Sequence, residues 1–177
     1  ADVLLVSDYA KGVVGARLVR EVLAVAARNK IPVAVDPKVQ HVPLFRGVTV
    51  LAPNHQEAAA AARILVRDEA DLLRVGQALL HRLQARAVLI TRGEHGMSLF
   101  EAGRPVTHIP TSAREVYDVT GAGDTVMAIL ALALAAGAPL RHAAVLANHG
   151  AGVVVGKRGT ATVGRAELAR ALRDDGQ

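Results

Sequence analysis

The stretch Asp118-Val119-Thr120-Gly121-Ala122-Gly123-Asp124, followed at once by an apolar helical run from Thr125 to Ala136, decides how the rest of the chain is read. Small residues let successive backbone N–H groups converge on one point, and the helix that starts there turns the positive end of its dipole toward the same point. Such a cradle favours a phosphate. Asp124 stands in its mouth, where a carboxylate opposes an anion unless it has a role of its own. Proton abstraction supplies that role, since a base beside a phosphate cradle activates a hydroxyl while a transferring phosphoryl group is held in place.

The composition says what kind of fold carries this feature. The 177 residues are 51% hydrophobic, enough for one substantial core and too apolar for a disordered chain. With two Phe, two Tyr and no Trp, that core must be built from Ala, Val and Leu. This suits strands covered on both faces by Ala-rich helices, an α/β layered fold in a single domain over 1–177. The net charge of +5 and pI near 10.2 come mostly from scattered Arg. Basic clusters with interleaved aromatics are lacking, which argues against nucleic acid as a partner, and the charge suits acidic small molecules. There is no cysteine, so disulfides and thiolate metal sites are excluded. The longest apolar run, Val126 to Ala138, is too short to span a membrane, and a cytoplasmic location is expected. The chain enters directly into a strand at Asp2, an odd beginning for a complete protein.

Taken in order, apolar runs end in polar clusters. Asp2 to Val6 reads as a strand leading into Ser7-Asp8-Tyr9-Ala10-Lys11-Gly12, Gly15 to Asn29 as an amphipathic helix, and Ile31 to Val35 as a strand ending in Asp36-Pro37-Lys38. Ligands of open α/β sheets sit at such strand ends. Val48 to Leu51 precedes Pro53-Asn54-His55-Gln56-Glu57, where Asn54 and Glu57 read as a helix cap resembling a capping box; the same pair, on one face of a first turn, could reach a metal–phosphate complex. Glu69 to Ala85 is a helix and Ala87 to Ile90 a strand ending in Thr91-Arg92-Gly93-Glu94-His95-Gly96. Met97 to Phe100 and Pro105 to Ile109 form a hairpin at the sheet's edge, turned at Gly103. Leu140 to Val155 and Arg165 to Leu172 are the last helices. The loop Gly156-Lys157-Arg158-Gly159-Thr160 reads equally as a cationic cap or a phosphate or cation contact. Lys38 could contact a phosphate or be solvated, and His95 and His149 read as solvated or capping residues. Neither Gly-x-x-x-x-Gly-Lys-Ser/Thr nor Gly-x-Gly-x-x-Gly occurs, which counts against a Walker ATPase or a dinucleotide enzyme.

These phrases, in this order, resemble the ribokinase-like (PfkB) carbohydrate kinases. The Asp-x-Thr-Gly-Ala-Gly-Asp signature is specific, and Asn-x-x-Glu upstream strengthens it. The resemblance covers the chain and corresponds to the later part of a family member. Within the family it is closer to the heptose 7-phosphate kinase branch, on Ser7 to Gly12, Glu115 to Val126, and Ala151 to Lys157 before Gly159-Thr160.

The resemblance implies a ribokinase-like three-layer α/β/α sandwich with a mostly parallel central sheet, represented by its C-terminal nucleotide-binding and catalytic portion without the N-terminal part and β lid. It implies Asp124 as the base toward a sugar hydroxyl, with Gly121, Ala122 and Gly123 as the anion hole. Asn54 and Glu57 would act through Mg²⁺ and its waters, which turns the reading of that pair from cap to ligand. Thr91, Gly93 and Gly96 would line the ATP phosphates and ribose, and Asn148 and Gly152 the adenine; separately, Lys38 and Asp8, at strand ends, are candidates for substrate contact. Asp118, Thr120 and Gly159 match positions that hold a monovalent cation, K⁺, in some members. The expected reaction is ATP-dependent phosphorylation of D-glycero-β-D-manno-heptose 7-phosphate to the 1,7-bisphosphate, by a protein that is a homodimer when full length. Without a lid, this span by itself is expected to turn over weakly or not at all. A ribokinase- or fructokinase-like enzyme and a non-catalytic nucleotide-binding remnant are the alternatives.

Overall fold

The computed structural model describes residues 1–113 and 115–174. Its centre is a six-stranded sheet whose strands follow one another in space as they do in sequence. The strands are β1 (Leu4–Ser7), β2 (Val33–Asp36), β3 (Val50–Leu51), β4 (Ala87–Thr91), β5 (Met97–Glu101) and β6 (Thr107–Ile109). The first four are parallel, with Leu4 opposite Val33, Ala34 opposite Val50 and Val50 opposite Ala87. β5 and β6 run antiparallel, with Leu89 opposite Leu99 and Ser98 opposite His108. The expected hairpin is present, but β6 begins at Thr107. Pro105 has no N–H for a ladder, and Gly103 and Arg104 are used in the turn, where Arg104 N–H donates to Glu101 O at 3.2 Å.

Helices cover both faces, giving the expected three layers. α1 (Ala16–Arg28), α2 (His55–Ala62) and α3 (Glu69–Leu83) lie on one face; α4 (Ala122–Ala135) and α5 (Leu140–Val155) lie on the other, with α6 (Arg165–Asp174) against α5. The alternation of side chains along a strand explains the two cores. Val33 and Val35 of β2 and Val88 and Ile90 of β4 join Val19, Leu72, Val75 and Leu79. Ala34, Ala87 and Leu89, pointing the opposite way, join Met127, Leu130, Ala143 and Ala147. Each fully buried Val or Leu contributes about 1.5–3 kcal/mol, so both layers are needed to stabilise a core so poor in aromatics.

Two further elements differ from expectation. A 3₁₀ segment, Val39–Leu44, had no expected counterpart; it folds Val42 and the following Phe45 into the core beneath the β2 end. α4 begins at Ala122, three residues before the expected Thr125, because Gly121 takes a left-handed φ of 80° and turns the chain straight into the helix. Asp124 therefore lies inside the first helical turn. Among the described residues, no helix is long and apolar enough to cross a membrane.

Candidate active site

At the carboxyl ends of the parallel strands, the first turn of α4 forms the centre of the site. The Ala122 N–H donates to Val119 O at 3.2 Å and Thr125 Oγ1 to Gly121 O at 3.0 Å, which pins the loop to the helix. Ala122 N–H is thereby taken, so the first-turn donors that no carbonyl within the helix can reach are those of Gly123 and Asp124. The side chain of Asp124 is exposed, and Tyr9 Oη donates to its Oδ1 at 3.0 Å.

The ends of β1 and β2 supply the charged flank. Asp8, expected as a substrate contact, is 1% exposed and fully engaged. Its Oδ1 accepts from Ala10 N–H at 2.8 Å; its Oδ2 accepts from Lys38 N–H at 3.1 Å and lies 2.8 Å from His41 Nδ1. It anchors the loop instead. Burial works to raise the Asp8 pKa, but the two backbone N–H groups and His41 outweigh it and hold the carboxyl below its ordinary value. Lys38 Nζ is 2.6 Å from Glu57 Oε1, and this partner raises the lysine's pKa. Glu57 Oε2 accepts from Asn54 N–H at 3.2 Å while Asn54 Oδ1 accepts from Glu57 N–H at 2.9 Å, so the expected capping box is present. Cap and ligand are not exclusive readings, because the box leaves both side chains at the mouth of the site. Asp36 is half-buried, and desolvation, followed by the charges of Glu57, Asp124 and Asp8 against the opposing pull of Lys38, raises its pKa to about 6.

On the other flank a cleft of about 470 Å³ is lined by Thr91, Gly93, Gly96, Ala122, Gly123, Asn148 and Gly152, with Val116, Val119 and Val155 among its apolar walls. The structure thus brings the expected nucleotide residues together. Thr91 pairs with Asn54 in a parallel bridge, joining the cleft to the charged flank. Gly96 has φ 72°, and a Cβ there would lie 2.1 Å from Ile109 O, so the turn after β4 is sealed onto β6 at that point. Asn148 is buried, its Nδ2 donating to Pro110 O at 2.8 Å, and Gly152 lets the segment at Ser112 and Ala113 lie against α5. Both shape the cleft through packing. His149, expected to be solvated or capping, is buried on α5, whereas His95 is exposed as expected.

Asp118, Thr120 and Gly159 also come together: Asp118 Oδ1 accepts from Thr120 N–H at 2.9 Å. The Thr120 backbone, then its side chain, then the Gly159 N–H hold the Asp118 pKa down. The neighbouring Lys157 donates to Thr162 O and pairs with Glu167 at 2.6 Å, so this lysine closes its own loop. No group of three or more His, Asp or Glu suited to a metal occurs among the described residues. The donors present fit a magnesium ion only in the manner Mg²⁺ commonly adopts, through waters and ligand phosphates beside one or two carboxylates.

Residues 1–166 match the family model described as pfkB family carbohydrate kinase. The chain belongs to that family. It is 54% identical over 171 residues to the bifunctional protein HldE of Geobacter sulfurreducens, covering 97% of this chain, and 47% identical over 175 residues to that of Pseudomonas entomophila, covering 98%. It spans only 35% and 36% of those two proteins. A ribokinase from Arabidopsis thaliana complexed with ribose and ATP is similar with a TM-score of 0.83 at 21% identity, over 98% of this chain and 56% of that one. Phosphofructokinase-2 from Escherichia coli in complex with potassium is similar with a TM-score of 0.87 at 16% identity, over 99% and 57%. The structural likenesses show the ribokinase-like fold.

In this pfkB-family chain, Tyr9 and Asp36 fall in strand-end clusters that the sequence singles out without giving either residue a role of its own, and His41, within the Val39–Leu44 segment, has no expectation attached to it. Arg92 is a further case. Its guanidinium pairs with Glu69 at 2.7 and 3.2 Å and donates to Ser98 Oγ at 3.1 Å, while its N–H donates to Gly96 O at 2.8 Å. It fixes the cleft-lining turn from outside.

Proposed function

We propose that this chain is the nucleotide-binding and catalytic portion of an ATP-dependent sugar-phosphate kinase. Its acceptor is D-glycero-β-D-manno-heptose 7-phosphate and its product the 1,7-bisphosphate, a step toward nucleotide-activated heptose. One observation carries the reading: the first turn of α4 presents free N–H donors and the Asp124 carboxylate side by side, at the rim of a cleft large enough for a nucleotide. Family membership supports the reaction class, and the likeness to HldE proteins supports the heptose acceptor.

In this mechanism the acceptor hydroxyl oxygen bonds to the γ-phosphorus as the bond to the β,γ-bridging oxygen breaks. The proton passes to Asp124, and ADP leaves with the bond's electron pair. The Gly123 and Asp124 N–H groups hold charge on the transferring phosphoryl group, with Gly121 and Ala122 shaping the turn that presents them. Lys38 exchanges Glu57 for a phosphate. Asn54 and Glu57 would hold Mg²⁺, which would supply charge neutralisation at the phosphates. Asp118, Thr120 and Gly159 would hold a monovalent cation. We take the full-length protein to be a homodimer, and this span by itself turns over weakly or not at all because Asp124 stands open to water.

The test compares heptose 7-phosphate, ribose and fructose as acceptors in the full-length protein, with Asp124→Asn as control. Heptose 7-phosphate is the fastest acceptor, and Asp124→Asn loses about 10²–10⁴-fold in kcat with ATP binding retained. Turnover of the variant within a few-fold of wild type removes the general-base assignment, and faster turnover of ribose or fructose removes the heptose assignment.

A further inference from the structure

We infer that Tyr9 is a positioning residue for Asp124: its phenol holds one carboxylate oxygen so that the other is presented to the acceptor hydroxyl. This rests on the reading of Asp124 as the general base.

The contact joins residues 115 positions apart, from the end of β1 to the first turn of α4, with Tyr9 Oη 3.0 Å from Asp124 Oδ1. A phenol donates one proton and an ionised carboxylate only accepts, so the contact occupies Oδ1 and leaves Oδ2 to take a proton from a substrate. Asp124 needs such a holder. It lies within electrostatic reach of Asp36, whose pKa it helps to raise, and Asp36 also feels Glu57. Repulsion between the Asp36 and Asp124 carboxylates works to displace the exposed Asp124 side chain, and the phenol opposes that.

Tyr9 is itself 58% exposed and has little packing to fix it. Its position comes from its neighbours. Asp8, immediately before it, is buried and accepts from Ala10 and Lys38 N–H while facing His41, and a carboxylate requires that His41 Nδ1 carry the proton. Ala10, immediately after it, holds a left-handed φ of 53°, a conformation that persists in a non-glycine residue where the surroundings over-determine it. Three contacts on one buried side chain and a strained backbone angle thus aim an otherwise free tyrosine at the base.

The experiment measures steady-state kinetics of the full-length protein with ATP and heptose 7-phosphate for Tyr9→Phe, Asp124→Asn and the double variant. Unchanged melting temperatures control for folding. Tyr9→Phe lowers kcat by about tenfold, the scale of a hydrogen bond to a charged group at a half-open site, with KM for both substrates within about twofold. In the Asp124→Asn background, followed by product accumulation, removal of the hydroxyl has no further effect. If Tyr9→Phe keeps kcat within about twofold while Asp124→Asn is crippled, the positioning role is overturned and the base stands. If Asp124→Asn is near wild type, the base itself is overturned. Equal losses from Tyr9→Phe in both backgrounds show that the phenol acts on something other than Asp124, which also overturns the proposal.

Discussion

On the cleft side of the cradle, β4 and β5 are buried along nearly their whole length, whereas β1 on the other side alternates between half-buried and exposed residues and leaves Leu5 40% exposed. The cleft side is held by packing: Gly96 against the β6 backbone, Gly152 against the Ser112 segment, and Arg92 locking the turn. The β1 side is held by charge, with one buried carboxylate tying its loop and a lysine–glutamate pair joining the neighbouring β2 end to α2. Packing resists small changes in pH and salt, while a charged scaffold responds to both. The two halves of one site therefore have different weaknesses.

Gly96→Ala breaks the cleft side. Its Cβ collides with Ile109 O, at a φ that L side chains avoid, so a loss on the order of 3 kcal/mol is expected, read as a fall in Tm on the order of 10 °C. Asp8→Ala breaks the β1 side. It strips partners from two N–H groups and His41, for a loss of about 2 kcal/mol, with limited proteolysis showing new cutting between Ser7 and Gly12 while the cleft stays intact. Because the Asp8 pKa is depressed in the fold, its contribution is present above the ordinary value of 3.8 and is lost as pH falls through the lower folded value. The deficit of the variant shrinks accordingly in acid. Asp36→Asn sharpens the contrast with the opposite sign. The folded pKa near 6 lies above the ordinary 3.8, so stability from this group is full below 3.8 and declines as pH rises through 6. Removing the charge stabilises the fold at about pH 7.5 by on the order of 1 kcal/mol, reduced by solvent screening, and by nothing below about pH 4. Urea unfolding at the two pH values reads the difference.

The layers were legible because Val33-Ala34-Val35 and Ala87 to Ile90 are apolar on both faces, a pattern that only a doubly covered strand satisfies. The cradle was legible because Gly121 to Asp124 is contiguous. The Val39–Leu44 segment was not, since a short 3₁₀ turn carrying Pro43 has neither helical nor strand periodicity and its two inward residues are placed by the tertiary core. Nor could spacing pair Tyr9 with Asp124 or turn Asp8 inward, because such contacts depend on which strand ends become neighbours. For Asn148, the resemblance alone placed it near the adenine; nothing in the spacing could show that its carboxamide donates to Pro110 O while it lines the cleft.

The distribution of aromatic rings has an optical consequence. The chain has two tyrosines and no tryptophan, and both phenylalanines are buried while both tyrosines are exposed. Tyr9 donates to Asp124, and Tyr117 donates to Glu115 from between the cleft-lining Val116 and Val119. Near-ultraviolet absorbance and fluorescence are thus dominated by two phenols at the rim of the site, and unfolding moves them from one wet setting to another. The chain carries a built-in spectroscopic label for ligand arrival and almost none for the integrity of its core.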